Sequence, residues 1–266
     1  MRSAIDVSDG AHLKVIELYP AVQGEGTLVG VPSTFVRLAG CTVGCEWCDT
    51  KYSWKAAQGT EYTPTELVNE IIGKTTHRHV VVTGGEPLEH PMPLLMEVIR
   101  SLQQRHYHVT VETSGMGVPS DTPLNFRPRG ILWSVSPKLP SSKTQKPFPN
   151  LKEWVEYATE MEHGIQLKFV ISDSADLLFV QEQLNSQLRK ALPKAMVDII
   201  FQVCTPVEKG QSDEVLKAEI LDQLKELQEA ITEHFPFSEL LDVAAPYRIR
   251  VLPQLHALIY GRRRGI

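Results

Sequence analysis

Short runs of β-branched and aliphatic residues alternate with amphipathic stretches along this 266-residue chain, and that order constrains the fold most. Leu13–Tyr19, Ser33–Leu38, His79–Thr83, His108–Glu112, Ile131–Val135, Gln166–Ile171 and Val197–Gln202 read as strands. Between them, Thr63-Pro64 opens a helix with Thr at the N-cap and Pro at its first position, turning Leu67, Val68, Ile71 and Ile72 inward. Further helices are expected over Pro93–Gln104, Leu151–Glu162, Ala175–Arg189 and about Asp213–His234. In the last, Leu216, Ile220, Leu224, Leu227 and Ile231 form a core-facing stripe. Strand-then-helix repetition requires parallel strands joined by crossover helices. About six core strands are too few to close an eight-stranded barrel, so the expected fold is α/β, a partial, open TIM-type barrel. In such sheets ligands gather at the carboxyl ends of the strands.

Bulk properties remove several function classes. A net charge of −5 argues against broad electrostatic capture of nucleic acid. Hydrophobic content of 42% with 22% charged residues is ordinary for a globular protein. The N-terminal residues carry no apolar leader core, and no apolar run reaches membrane-spanning length, so a cytoplasmic location is expected. Four cysteines, three of them clustered, do not make a disulfide framework.

That cluster, Cys41-x3-Cys45-x2-Cys48, places three thiols within eight residues. Three thiolates can close on one metal centre, yet a saturated structural site takes four protein ligands. The missing ligand implies an open coordination position where chemistry can occur. On spacing alone, a zinc completed by a distant His, or cysteines packed in a core, stays open beside an iron–sulfur site. Arg37 ends a buried strand and needs a partner, which a substrate carboxylate or a structural carboxylate would supply. The proline- and lysine-rich stretch Lys138–Asn150 is a loop, either a plain connection or a lid. Cys204 stands apart as a small buried apolar residue, and His77 and His79 look structural or exposed.

Several blocks occur in a specific order: Gln23-Gly24-Glu25-Gly26, Phe35-Val36-Arg37-Leu38-Ala39-Gly40, the cysteines with Trp47 and Asp49-Thr50, and Thr83-Gly84-Gly85-Glu86-Pro87. Glu112-Thr113-Ser114-Gly115, Ser136-Pro137-Lys138, Lys168-Phe169-Val170-Ile171, Val251-Leu252-Pro253-Gln254-Leu255-His256 and the arginine-rich tail follow. Together they resemble the radical S-adenosylmethionine (SAM) superfamily and, within it, the 7-carboxy-7-deazaguanine synthases. The resemblance covers about residues 13–266, implying one domain over 1–266 with residues 1–12 as an extension.

The resemblance implies a [4Fe–4S] cluster on Cys41, Cys45 and Cys48, whose free iron takes SAM. It implies a lyase that contracts 6-carboxy-5,6,7,8-tetrahydropterin to 7-carboxy-7-deazaguanine with loss of ammonia, in queuosine or other deazapurine biosynthesis. Trp47, Cys48, Asp49, Gly85, Glu86, Ser114, Ser136, Pro137 and Lys138 are implied on the SAM side. Val22, Gln23, Gly24, Arg37, Thr83 and the terminal carboxylate of Ile266 are implied on the substrate side, and Thr50 on a Mg²⁺ ion. Lys168 is either a further SAM contact or solvated. No protein side chain is assigned a catalytic role. A reductase or flavodoxin-type electron donor and a homodimer are also implied. The alternatives are a glycyl-radical activating enzyme, which would need a large protein partner, and a non-catalytic zinc module.

Overall fold

The computed structural model describes residues 12–119, 128, 130–188, 196–205, 212–234 and 248–261. Its strands are β1 (Leu13–Val22), β2 (Pro32–Leu38), β3 (Thr60–Tyr62), β4 (His79–Gly84), β5 (His108–Thr113), β6 (Leu132–Val135), β7 (Gly164–Ile171), β8 (Val197–Val203) and β9 (Ile249–Leu252). They form one sheet in the order β3-β1-β2-β4-β5-β6-β7-β8-β9. From β2 to β9 every pairing is parallel, while β1 runs antiparallel to β2 and β3. The end strands β3 and β9 are not paired with each other, so the barrel is open as expected. The parallel set exceeds the expected six because of β9. That strand is four residues long and interrupted by Arg250, leaving too little apolar pattern to read.

Helices α1 (Pro64–Lys74), α2 (Met92–Gln103), α3 (Leu151–Glu160), α4 (Ser174–Gln183), α5 (Asp213–His234) and α6 (Leu255–Tyr260) follow or connect the strands. Helix α1 begins as the sequence implies: Thr63 accepts from the Glu66 amide, and the Glu66 carboxylate accepts from the Thr63 amide. Helix α4 is shorter than expected, passing at Leu184 into a single π-type turn that ends at Leu188. No described helix is long and apolar enough to cross a membrane.

Strand side chains alternate between two unlike faces. Val36, Val80, Val82, Val109, Val111, Trp133, Val135, Leu167, Phe169, Ile199 and Phe201 are nearly solvent-free and pack with the helices into one core. The alternate residues carry polar groups: Arg37 pairs in register with Thr83, Glu112 with Ser134, and Ser134 with Gln166. Lower on the same face His79 is buried between Ser33 and Thr110. Burial and the neighbouring His108 bring its pKa down to about 4, so it is a neutral structural residue.

Candidate active site

The polar face surrounds a cavity of about 460 Å³ at the carboxyl ends of the strands. The turn after β1 lies across that face and anchors to it at three points. Gln23 donates to Glu112 (3.0 Å), Thr27 donates through its amide and hydroxyl to Gln166 (2.9 and 2.8 Å), and Glu25 pairs with Lys168. Gln254 donates to the other Glu25 oxygen (2.6 Å) and itself accepts from Thr205. Lys168 is therefore buried in an ion pair rather than solvated. Burial opposes both charges, but Glu25 and then Glu112 hold the Lys168 pKa above its usual range. Likewise burial would raise Glu25, yet Lys168 and His256, with hydrogen bonds from Lys168 and Gln254, bring it to about 2. A carboxylate whose pKa is lower folded than unfolded stabilises the fold above its unfolded value and loses that contribution on acidification. Urea midpoints are expected to fall between about pH 5 and about pH 2, less steeply for Glu25→Gln.

Arg37 has a protein carboxylate beside it. Its Nε donates to Glu17 (2.6 Å) and its Nη2 to the Tyr19 hydroxyl (2.8 Å), while Tyr52 donates to the same Glu17 oxygen (2.6 Å). The guanidinium also lies 5.9 and 6.0 Å from the Tyr19 and Tyr52 ring centroids. Burial acts against its charge, but Tyr19, Tyr52 and Glu17 outweigh it and raise its pKa. The structural salt bridge is thus present. Among the described residues Nη1 carries no hydrogen bond, and Arg37 lines the cavity.

The cysteine loop leaves β2 at Leu38 and is held from two sides. From one side Gly85 donates its amide to Leu38 O and Glu86 donates its amide to Gly40 O, both at 2.8 Å. A Cβ on Gly84 would overlap Leu38, and one on Gly85 would overlap Gly40. The two glycines therefore admit the cysteine loop's own backbone. Glu86 is filled by Thr113 Oγ1 (2.5 Å), Leu88 N (3.1 Å), and Ser114 N and Oγ (2.8 and 2.5 Å), tying the β4 and β5 loops together. From the other side, the Lys138–Asn150 loop packs on the cysteines. Glu46 donates its amide to Ser142 O (2.8 Å), Thr144 donates to Val43 O (2.5 Å), and Trp47 donates to Ser141 Oγ (3.3 Å). Lys138 Nζ stands 5.5 Å from the Trp47 ring centroid. This loop is a buttress for the cysteine turn.

Cys41, Cys45 and Cys48 all line the cavity, none in a disulfide. Burial pushes the Cys41 thiol up to about 11 and raises Cys45, so a metal must displace protons as it binds. Among the described residues no three His, Cys, Asp or Glu side chains are grouped around one ion position. Three thiols with no fourth protein ligand are the donor set a cluster with one open corner takes. On the far wall Gln202 is fully buried with neither amide atom hydrogen-bonded, and it lines the same cavity. An unpaired buried amide is costly, which marks this as a place for polar ligand groups.

Of the sequence-derived site residues, Val22, Gln23, Arg37, Trp47, Asp49, Thr50, Thr83, Gly85, Glu86, Ser114, Ser136 and Lys138 line this cavity with the three cysteines. Gly24 and Pro137 do not. Gly24 is occupied by the chain itself: a Cβ there would overlap His256, and its carbonyl accepts from the Leu255 amide (2.9 Å). Ile266 and the arginines before it lie outside the described residues. Cys204 lines the cavity and is buried, with burial pushing its pKa to about 12. Tyr52, Trp54, Glu112, Gln202, Gln254 and His256 also line the cavity, and Glu17 stands behind Arg37, although no motif marks their roles in the sequence. For Glu112 and Gln202 the available signal was a polar residue at alternate positions of an otherwise apolar strand, as in Val109-Thr110-Val111-Glu112.

A family model described as a 4Fe-4S single cluster domain matches residues 22–120. The chain is 31% identical to the 7-carboxy-7-deazaguanine synthase of Pyrobaculum aerophilum, over 96% of this chain and 97% of that one. It is 30% identical to the enzyme of the same name from Bacillus subtilis, over 96% and 98%. A crystal structure of QueE from Escherichia coli has the same fold, with a TM-score of 0.64 and 23% identity over 92% and 95% of the two chains.

Proposed function

This chain belongs to the 7-carboxy-7-deazaguanine synthase family, and we propose that its polar cavity is where the family's reaction takes place. The protein is a radical SAM lyase that converts 6-carboxy-5,6,7,8-tetrahydropterin to 7-carboxy-7-deazaguanine with release of ammonia, in queuosine biosynthesis. When bound, the [4Fe–4S] cluster and SAM supply the one-electron chemistry that takes hydrogen from an unactivated carbon. Cys41, Cys45 and Cys48 hold the cluster. Trp47, Asp49, the Gly85 backbone, Ser114, Ser136 and Lys138 surround SAM.

The row Arg37–Thr83–Glu112, set beside Gln23, faces the pterin. Thr83 donates to one Glu112 oxygen (2.8 Å) and Gln23 to the other (3.0 Å), which fixes the carboxylate against the substrate's polar edge. Lys168 supplies positive charge beside Glu112. Arg37, oriented by Glu17 and Tyr19, offers its remaining edge to the substrate carboxylate. Thr50 contributes a hydroxyl toward Mg²⁺, which keeps waters and takes few protein ligands. Ile266 completes the substrate side through its carboxylate. The chain works as a single domain in a cytoplasmic homodimer, reduced by a flavodoxin-type donor.

One observation carries the reading: the three cysteines and the Arg37–Thr83–Glu112 row open on one cavity. The test is anaerobic reconstitution with iron and sulfide, followed by assay with SAM and the carboxylated pterin. Deazaguanine formation supports the assignment; a loaded enzyme that leaves the pterin unchanged refutes it. Arg37→Ala is expected to raise KM for the pterin about tenfold to a hundredfold, the worth of a charge-assisted hydrogen bond. Uncoupled SAM cleavage should persist, and an unchanged KM removes Arg37 from the substrate site.

A further inference from the structure

We propose that Trp54 is a positioning residue for the cluster, donating its indole N–H to the Cys48 sulfur and raising the reduction potential. The inference rests on the reading that Cys48 is a cluster ligand. Trp54 Nε1 lies 3.3 Å from Cys48 Sγ, with N–H geometry that makes it the donor. The same residue holds the other end of the loop, since its carbonyl accepts from the Cys41 amide (3.1 Å). One residue thus clasps the first and last cysteines of the cluster turn.

The clasp is rigid. Trp54 ends a 3-10 turn over Lys51–Ser53 and donates its amide to Lys51 O (3.2 Å). Ser53 is fully buried, donates its hydroxyl to Thr50 O (2.8 Å), and accepts at its carbonyl from Gly40 N (2.7 Å). Lys51 Nζ stands 5.9 Å from the indole centroid, a weak cation–π contact at the surface. Trp54 and Cys48 are both half-buried and both line the cavity.

A cluster gains negative charge on reduction, and a donor aimed at a ligand sulfur stabilises that state more than the oxidised one. Removing the donor must therefore make reduction harder.

The measurement is an EPR-monitored redox titration of anaerobically reconstituted protein, wild type against Trp54→Phe and Trp54→His. Phenylalanine keeps a ring but has no N–H; histidine restores a donor. At a fixed poise the ratio of reduced to oxidised cluster is expected to fall about tenfold in Trp54→Phe, about 59 mV for a one-electron couple. Trp54→His should recover part of it. Equal potentials in wild type and Trp54→Phe, or a loss that histidine does not restore, overturn the proposal. Should Trp54→Phe fail to load, pulsed EPR on reduced Trp47→Phe protein with ¹⁵N-indole tryptophan decides: a coupled indole nitrogen supports the contact, and its absence removes it. A wild-type chain that assembles no cluster overturns the cluster reading itself, and the role of Trp54 with it.

Discussion

Lys168→Met is expected to cost about 3–5 kcal/mol of folding stability, the loss typical of a buried ion pair stripped of one partner. Glu25 would remain buried, 13% exposed at its side chain, with its main source of positive charge gone. It would have to carry an uncompensated charge, take up a proton, or leave the turn after β1 unanchored. Each route also disturbs Gln254, whose amide donates to the same carboxylate. Pairing the change with Glu25→Gln tests the cause: a neutral amide beside methionine needs no counter-charge, so the double variant should regain much of the loss. Chemical denaturation of the four proteins gives the coupling directly. A loss below about 1 kcal/mol in the single variant would place the pair with weak surface bridges.

Gly85→Ala is expected to act on cluster loading more than on any ligand. Its new Cβ would overlap the Gly40 backbone, which cannot move without shifting Cys41 next to it. Overpacking of this kind costs about 1–3 kcal/mol, and here the strain falls on a loop whose hydrogen bonds to Leu38 and Gly40 are already formed. Iron content after reconstitution should fall severalfold while the secondary structure persists. If iron loading is normal and only SAM binding weakens, the glycine serves ligand approach after all.

Much of the architecture was legible because apolar strands and amphipathic helices have distinct periods. The motif blocks fell on strand ends for the same reason, since those loops are the only ones that meet above a parallel sheet. What escaped was set by tertiary pairing. Nothing local in Glu17-Leu18-Tyr19 shows that it will face Arg37 across an antiparallel register, although the two are neighbours in the sheet. The resemblance puts the Gly24 backbone on the substrate side, but its carbonyl takes the Leu255 amide and its open side meets His256 from 232 positions later in the chain. The spacing of Trp54 from Cys48, six residues apart across a 3-10 turn, carries no periodic signature at all. The Lys138–Asn150 loop offered two readings in sequence, and its hydrogen bonds to Glu46 and Val43 favour neither a plain connection nor a mobile cover.

The link between Glu25 and Gln254 spans 229 positions of chain. During translation the β1 turn emerges early, with its carboxylate facing Lys168 on β7, yet one oxygen must wait for a partner made near the end of synthesis. Until then the wall contributed by residues 248–261 is missing from the chamber. The chamber's lining is therefore complete only when residues 23 and 261 are both present, so its shape depends on chain made first and chain made last.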